Sequence, residues 1–179
     1  MAAKVVNYKV NKAGKIIDFV QYYNIPKENE FGKTYGGKYI SSKPNDPYNG
    51  RSFQFSNRGE VDMIEKFVKA YNSMDIKTFT ECVADEVTIE DFDGNVMKVK
   101  KDQWPSLFAE YKSLDWRPDV ILPFKLKDTD PVSGILVHAS EKRVLKDGTV
   151  WEKKVNELFQ FNLEGKISAV EQFSRGVKK

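Results

Sequence analysis

The stretch VADEVTIEDFDG, residues 83–94, runs as a short apolar strand into two adjacent carboxylates and a glycine turn. Along a strand, successive side chains point to opposite faces. Val87, Ile89 and Asp91 therefore share one face, and Thr88 and Glu90 share the other. On this alternation Asp91 continues the more apolar face towards a core. A charged carboxylate is costly in such surroundings, so its pKa rises, and a raised pKa makes it a competent general base. The competing reading is that Asp91, with Asp93 and Gly94, builds a solvated turn.

Before this strand the apolar period is helical. Val61, Ile64, Phe67, Val68 and Tyr71 fall on one helix face, with Asn57 and Glu60 in N-cap and N3 spacing. Ile76, Phe79 and Val83 mark a second, short helix after Asp75. Past the strand, Trp104, Leu107, Phe108 and Tyr111 mark a third helix, with Asp102 as its cap and Pro105 in its first turn. Long β segments follow at roughly 116–127, 134–146, 149–163 and 166–175, joined by the glycine turns LKDGTV and NLEGKI. Helices followed by an antiparallel meander make an α+β plan, the helices covering one face of a curved sheet.

The chain divides into three zones. Residues 1–24 read as a β-hairpin around the turn Asn11–Lys12–Ala13–Gly14. Residues 25–58 are irregular and rich in Gly, Pro, Asn and Ser, and their aromatics (Phe31, Tyr35, Tyr39, Tyr48, Phe53, Phe55) suit a segment that packs against something. Residues 59–179 form one complete domain. An internal repeat links the ends: YKVNKAGKIIDFVQYYN, residues 8–24, aligns without gaps on FQFNLEGKISAVEQFSR, residues 159–175. Either β-hairpins simply resemble one another, or residues 1–24 are the closing hairpin of a preceding, related domain. An orphan hairpin of that kind must find a sheet edge or a neighbour.

Composition narrows the function classes. Among 179 residues, 29 are Lys or Arg and 26 are Asp or Glu, scattered to a net charge of +3. No basic stripe points to nucleic acid, and no apolar run is long enough to enter a membrane. Cys82 is the only cysteine and His138 the only histidine, which excludes an intrachain disulfide and a Cys/His metal cluster within one chain. No glycine motif that would cradle phosphates is present, so neither a metal nor an organic cofactor is expected. With no leader-like segment, the default compartment is the cytoplasm, although a chain trimmed of its leader would read the same.

On the strand 151–161, Trp151, Lys153, Val155, Glu157, Phe159 and Phe161 share a face. If that face lines a cavity, Glu157 sits among apolar side chains, stays protonated and donates a hydrogen bond to an oxyanion. If it is the outer face, Glu157 pairs with Lys153.

Residues 59–179 resemble the NTF2-like superfamily, in particular its ketosteroid isomerase and SnoaL-like polyketide cyclase branch. The resemblance is carried by MIEKFVKAYNSMDIKTFTECVADEVTIEDFDG at 63–94 and ELFQFNLEGKI at 157–167. It implies a cystatin/NTF2-like cone, three helices on a strongly curved antiparallel sheet with a pocket between them. It also implies Asp91 as the proton-shuttling base and Glu157 as the acid assisting the oxyanion donor. That donor is a first-helix tyrosine in the isomerases; the matching position here is Phe67, which has no donor, leaving Tyr71 or Tyr111 to replace it. Phe67, Tyr71, Trp104, Phe108, Tyr111, Val155 and Phe159 are the expected ligand-binding lining. Three functions fit: a cofactor-independent isomerase or cyclase using Asp91 and Glu157, a module holding a small apolar molecule, and an interaction domain. A homodimer is implied by the same resemblance together with an exposed sheet face, the pairing surface being left open by the sequence.

Overall fold

The computed structural model describes residues 3–23, 36–129 and 133–177, and the chain separates into two compact units, Met1–Tyr35 and Gly36–Lys179. In the smaller unit, strands β1 (Ala3–Val10) and β2 (Ile16–Tyr23) pair antiparallel, with Tyr8 opposite Phe19 and Val10 opposite Ile16. The connecting turn is fixed by Asn11, whose Oδ1 accepts from the backbone N–H of Ala13 and of Lys15, each at 3.0 Å. Phe31 and Tyr35 of the irregular segment lie outside the described residues.

The larger unit begins earlier than the sequence suggests. Strand β3 (Phe53–Phe55) precedes helix α1 (Arg58–Asn72) and forms the sheet edge beside β6 (Tyr111–Leu126), Phe53 facing Leu126. Residues 36–58 are thus part of the sheet-bearing unit. Gly36 is needed there because a Cβ at this position would lie 1.8 Å from the Phe53 carbonyl oxygen. Helix α2 (Ile76–Cys82) follows, capped by Asp75, whose side chain accepts from the Thr78 N–H at 3.1 Å. The chain then enters β4 (Val83–Glu90) and β5 (Val96–Lys100). After helix α3 (Trp104–Phe108) and β6 come β7 (Gly134–Leu145), β8 (Val150–Phe161) and β9 (Ile167–Gly176).

The seven-stranded sheet has the order β3-β6-β7-β8-β9-β4-β5. It is antiparallel, as expected, except where β4 runs parallel to β9. Strand β6 carries register breaks between Tyr111 and Ser113 and between Pro118 and Val120, and such bulges bend and twist a long strand around the core. The inner face of this curve meets α1, which buries Val61, Ile64, Phe67 and Ala70. Phe67 touches Phe79, Trp116 and Phe159 with ring centroids 4.7–6.0 Å apart, an aromatic cluster at the middle of the core.

Two helix ends differ from expectation. Helix α3 is one short piece that starts after a 3-10 turn, with Gln103 rather than Asp102 at its N-cap position, and Tyr111 opens β6 instead of extending the helix. Tyr111 pairs with Leu145 across the sheet, and that ladder outcompetes a further helical turn. At α1, Asn57 makes no capping bond. Its side chain donates to Glu60, which also accepts from the Ser56 and Ser133 hydroxyls.

Candidate functional site

Between α1, α3 and the inner sheet face lies a cavity of about 390 Å³, walled by Phe67, Tyr71, Trp104, Phe108, Tyr111 and Phe159 among others. Val155, also expected in the lining, is buried in the core instead and does not reach the cavity. The walls are mostly aromatic, which suits an apolar occupant. Into them project four polar groups from three strands: Glu141 and Arg143 of β7, Glu157 of β8 and Gln172 of β9.

Glu141 and Arg143 are two residues apart, so the pleat puts both on the inner face, beyond Ile135, Val137 and Ala139. Glu141 Oε1 accepts from the Tyr71 hydroxyl at 2.5 Å and from Arg143 Nε at 2.8 Å, and Oε2 accepts from Arg143 Nη2 at 3.0 Å. A bidentate pair of this kind fixes both side chains. The Arg143 guanidinium also stacks over Trp151, 4.4 Å from its ring centroid. Burial, the largest single effect, would lower the Arg143 pKa, but the bond to Glu141 together with the charges of Tyr71, Glu141 and Tyr111 outweighs it and holds Arg143 above the ordinary guanidinium value. Burial and the Glu141 charge together push the Tyr71 phenol well above its usual range. Tyr71 is therefore a neutral donor whose proton is already committed to Glu141.

Glu157 behaves differently. It is only 4% exposed, and Gln172 Nε2 donates to its Oε1 at 2.7 Å. Its pKa is raised to about 8, first by burial and then by the charge of Glu141, against the opposing hydrogen bond from Gln172. The Trp116 indole N–H also favours the ionised form, yet neither it nor Glu157 Oε2 has a hydrogen-bond partner of acceptable geometry. At neutral pH Glu157 is mostly protonated. The inner-face reading of this residue is the one observed, and the pairing with Lys153 does not form: Lys153 donates to Ser174 at 3.3 Å.

Asp91 lines the same cavity but not as expected. Its Oδ1 accepts from the backbone N–H of Asp93 and of Asn95, each at 2.9 Å, and the Asn95 amide reaches Oδ2 at 3.0 Å. The Asn95 side chain above all, then these backbone donors, hold the Asp91 pKa below the ordinary carboxylate value, where a rise was expected. Phe67 has no polar atom to offer, and Tyr111 is half-buried in the wall. Sequence reasoning missed Glu141 and Arg143, although the alternation Ile135, Val137, Ala139, Glu141, Arg143 carries the same signal that located Glu157. Cys82 is buried, its thiol donating to the Thr78 carbonyl and raised in pKa by burial. Among the described residues no cluster of three or more His, Cys, Asp or Glu could hold a metal ion, and no helix is long and apolar enough to cross a membrane.

The architecture is shared with known structures. AusH from Aspergillus nidulans matches over 70% of this chain and 90% of its own, with 16% identity and a TM-score of 0.51. An M. tuberculosis LEH-like epoxide hydrolase matches over 65% of this chain and 82% of its own, with 13% identity and a TM-score of 0.51. An NTF2-like protein of unknown function from Exiguobacterium sp. 255-15 matches over 64% of this chain and 99% of its own, at 14% identity and a TM-score of 0.49. At these identities the likeness to AusH and to the LEH-like epoxide hydrolase establishes the fold alone: the larger unit is an α+β cone of helices on a curved sheet. No protein-family model matches the chain, and no curated protein matches it.

Proposed function

We propose that the larger unit binds a small, largely apolar molecule bearing an oxygen acceptor, and that Glu157 gives that oxygen a proton in an isomerase- or cyclase-type transfer. The observation that carries this reading is the buried, protonated Glu157 beside a second carboxylate that is locked to Arg143 and Tyr71. Two carboxyl groups whose surroundings differ this much divide their roles: one holds a fixed charge and the other stays an acid at neutral pH. A neutral carboxyl in an apolar pocket is a strong, preorganised donor for an oxygen on which negative charge develops.

In the proposed cycle, a carbon acidified by an adjacent carbonyl gives its proton to Asp91, the ionised carboxylate on the cavity wall. Glu157 protonates the carbonyl oxygen, giving an enol. Return of the first proton from Asp91 to a different carbon, and of the enol proton to Glu157, completes an isomerisation; in a ring closure the enol carbon instead attacks a second carbonyl carbon, whose oxygen takes the proton held by Asp91 as the enol proton returns to Glu157. The low basicity of Asp91 restricts the carbon acid to an activated one. The LEH-like epoxide hydrolase of the same fold is, by its name, an enzyme of epoxides, which also present one oxygen on a small frame.

The test is a fluorescence titration with a naphthol-type probe, an aromatic body carrying one ionisable oxygen. The wild type should bind saturably, with affinity falling as pH rises through about 8 and Glu157 ionises. Asp91→Asn should bind the probe more tightly, because a negative charge leaves the cavity wall. In Glu157→Gln the alkaline loss should disappear. Saturable binding with no isomerase activity on activated enones would reduce the function to ligand holding, and no binding to any of the three forms would end the proposal.

A further inference from the structure

The hairpin β1–β2 and the hairpin β8–β9 are the same object built twice. From Val5 to Val10 and from Ile16 to Tyr22 their pairings are offset by a constant 151 residues: Asn7↔Val20 with Leu158↔Glu171, Tyr8↔Phe19 with Phe159↔Val170, Lys9↔Asp18 with Gln160↔Ala169, and Val10↔Ile16 with Phe161↔Ile167. One register break falls at the same step, after Lys9 in one and after Gln160 in the other, while a second break of β1–β2, between Ala3 and Val5, has no counterpart in β8–β9. The turns agree bond for bond. Asn11 and Asn162 each accept, through Oδ1, from the N–H two and four residues on, and Gly14 and Gly165 take φ of 74° and 71°. Generic hairpins share a turn type, but a bulge at a matched step together with matched residue classes on one face is a stronger identity.

Within its own unit each hairpin is covered differently. In β8–β9 the face formed by Phe159, Phe161, Ile167 and Val170 is at most 9% exposed, packed beneath α1. The matching residues of β1–β2, Tyr8, Val10, Ile16 and Phe19, are 57–64% exposed. An isolated two-stranded hairpin is marginal in water, and a contiguous apolar face of this size marks a surface meant for burial. We propose that β1–β2 is the closing hairpin of a second NTF2-like cone carried ahead of Met1 on the same polypeptide, and that this cone's helix and sheet cover Tyr8, Val10, Ile16 and Phe19. What the face fits is the environment its twin occupies: a cone body missing its last two strands. A second copy of residues 1–179 offers no such vacancy, since its own β8–β9 fills the slot between β7 and β4 and is held there by its tether.

The register carries a functional consequence that rests on the reading of Glu157 above. Val6 faces Gln21 where Glu157 faces Gln172. The second cone thus holds Val6 at the register position that Glu157 occupies in the larger unit.

Two measurements decide the matter. Mass spectrometry of the native polypeptide, captured with an antibody to this chain, should find a protein longer by on the order of 100 residues, one domain of this size class. A native N-terminus at Met1 overturns the proposal. For the 179-residue chain alone, light scattering with hydrogen exchange should show β1–β2 amides exchanging at least 100-fold faster than those of β8–β9, whether the chain is a monomer or a dimer paired through another face. Protection of β1–β2 in a monomer would mean that the chain covers its own hairpin, and protection in a concentration-dependent dimer would assign the face to a second copy. Either result refutes the proposed cone.

Discussion

Replacing Glu157 by Gln should invert its effect on stability between acid and alkaline pH. In the folded protein the carboxyl titrates at about 8, against 4.5 for an ordinary glutamate. The native state thus keeps a proton that the unfolded chain releases. The stability associated with that proton is complete below 4.5, declines as pH rises and is gone above about 8. At about 1.4 kcal/mol per pH unit, the loss across that interval approaches roughly 5 kcal/mol. Gln does not titrate. Its NH2, placed where Oε2 has no hydrogen-bond partner, costs roughly 1–3 kcal/mol at every pH. Glu157→Gln should therefore be less stable than the wild type at pH 4.5 and more stable by about 2–4 kcal/mol at pH 9. The curves cross near the middle of the interval. Urea unfolding followed by tryptophan fluorescence, at half-unit steps of pH, measures both curves, and titrating groups that do not interact with Glu157 cancel in the difference. A difference that stays flat within about 1 kcal/mol from pH 4.5 to 9 would refute the buried, protonated glutamic acid.

Other perturbations have equally definite outcomes. Glu141→Gln removes the charge facing Arg143 and leaves a largely buried guanidinium without its ion-pair partner; urea unfolding should show a loss of about 3–5 kcal/mol. The same change should lower the pH at which Glu157 titrates, read as a shift of the probe-binding profile towards acid, because Glu141 is one of the charges that raises it. Phe67→Ala empties the centre of the aromatic cluster and should cost about 3–5 kcal/mol, in contrast to an exposed aromatic such as Phe55, whose truncation should be nearly silent in the same assay. Gly36→Ala drives a Cβ into the Phe53 carbonyl; thermal unfolding should register roughly 1–3 kcal/mol of overpacking while the cavity's probe affinity stays unchanged.

Much of this architecture is written in short-range patterns. The period of Val61, Ile64 and Phe67 names the buried side of α1, and the alternation on β8 places Glu157 inside. Asp91 shows where alternation fails. The run Asp91–Phe92–Asp93–Gly94–Asn95 has the spacing of Asn11–Gly14 and Asn162–Gly165, and in all three the first side chain folds back onto the turn's own N–H groups. Turn chemistry outweighs the strand's pleat there, because two good hydrogen bonds to backbone are worth more than continuing a face for one more residue. Glu141 is harder to see because the other side of β7 carries His138, Ser140 and Lys142, so that polar residues stand on both faces at that end of the strand. The parallel contact of β4 with β9 joins segments some 80 residues apart, and no local pattern encodes such a pairing.

That parallel contact also sets an order of events during synthesis. Strand β9 is the last of the sheet's strands to leave the ribosome, and it brings Val170 and Gln172 to the cavity wall beside β4. Until it docks, the β8 side of the cone is open to water. Glu157 then has no Gln172 to orient it and no dry surroundings to retain its proton. The nascent protein carries an ordinary, ionised glutamate at this position, and the acid comes into being only when the last strand closes the sheet.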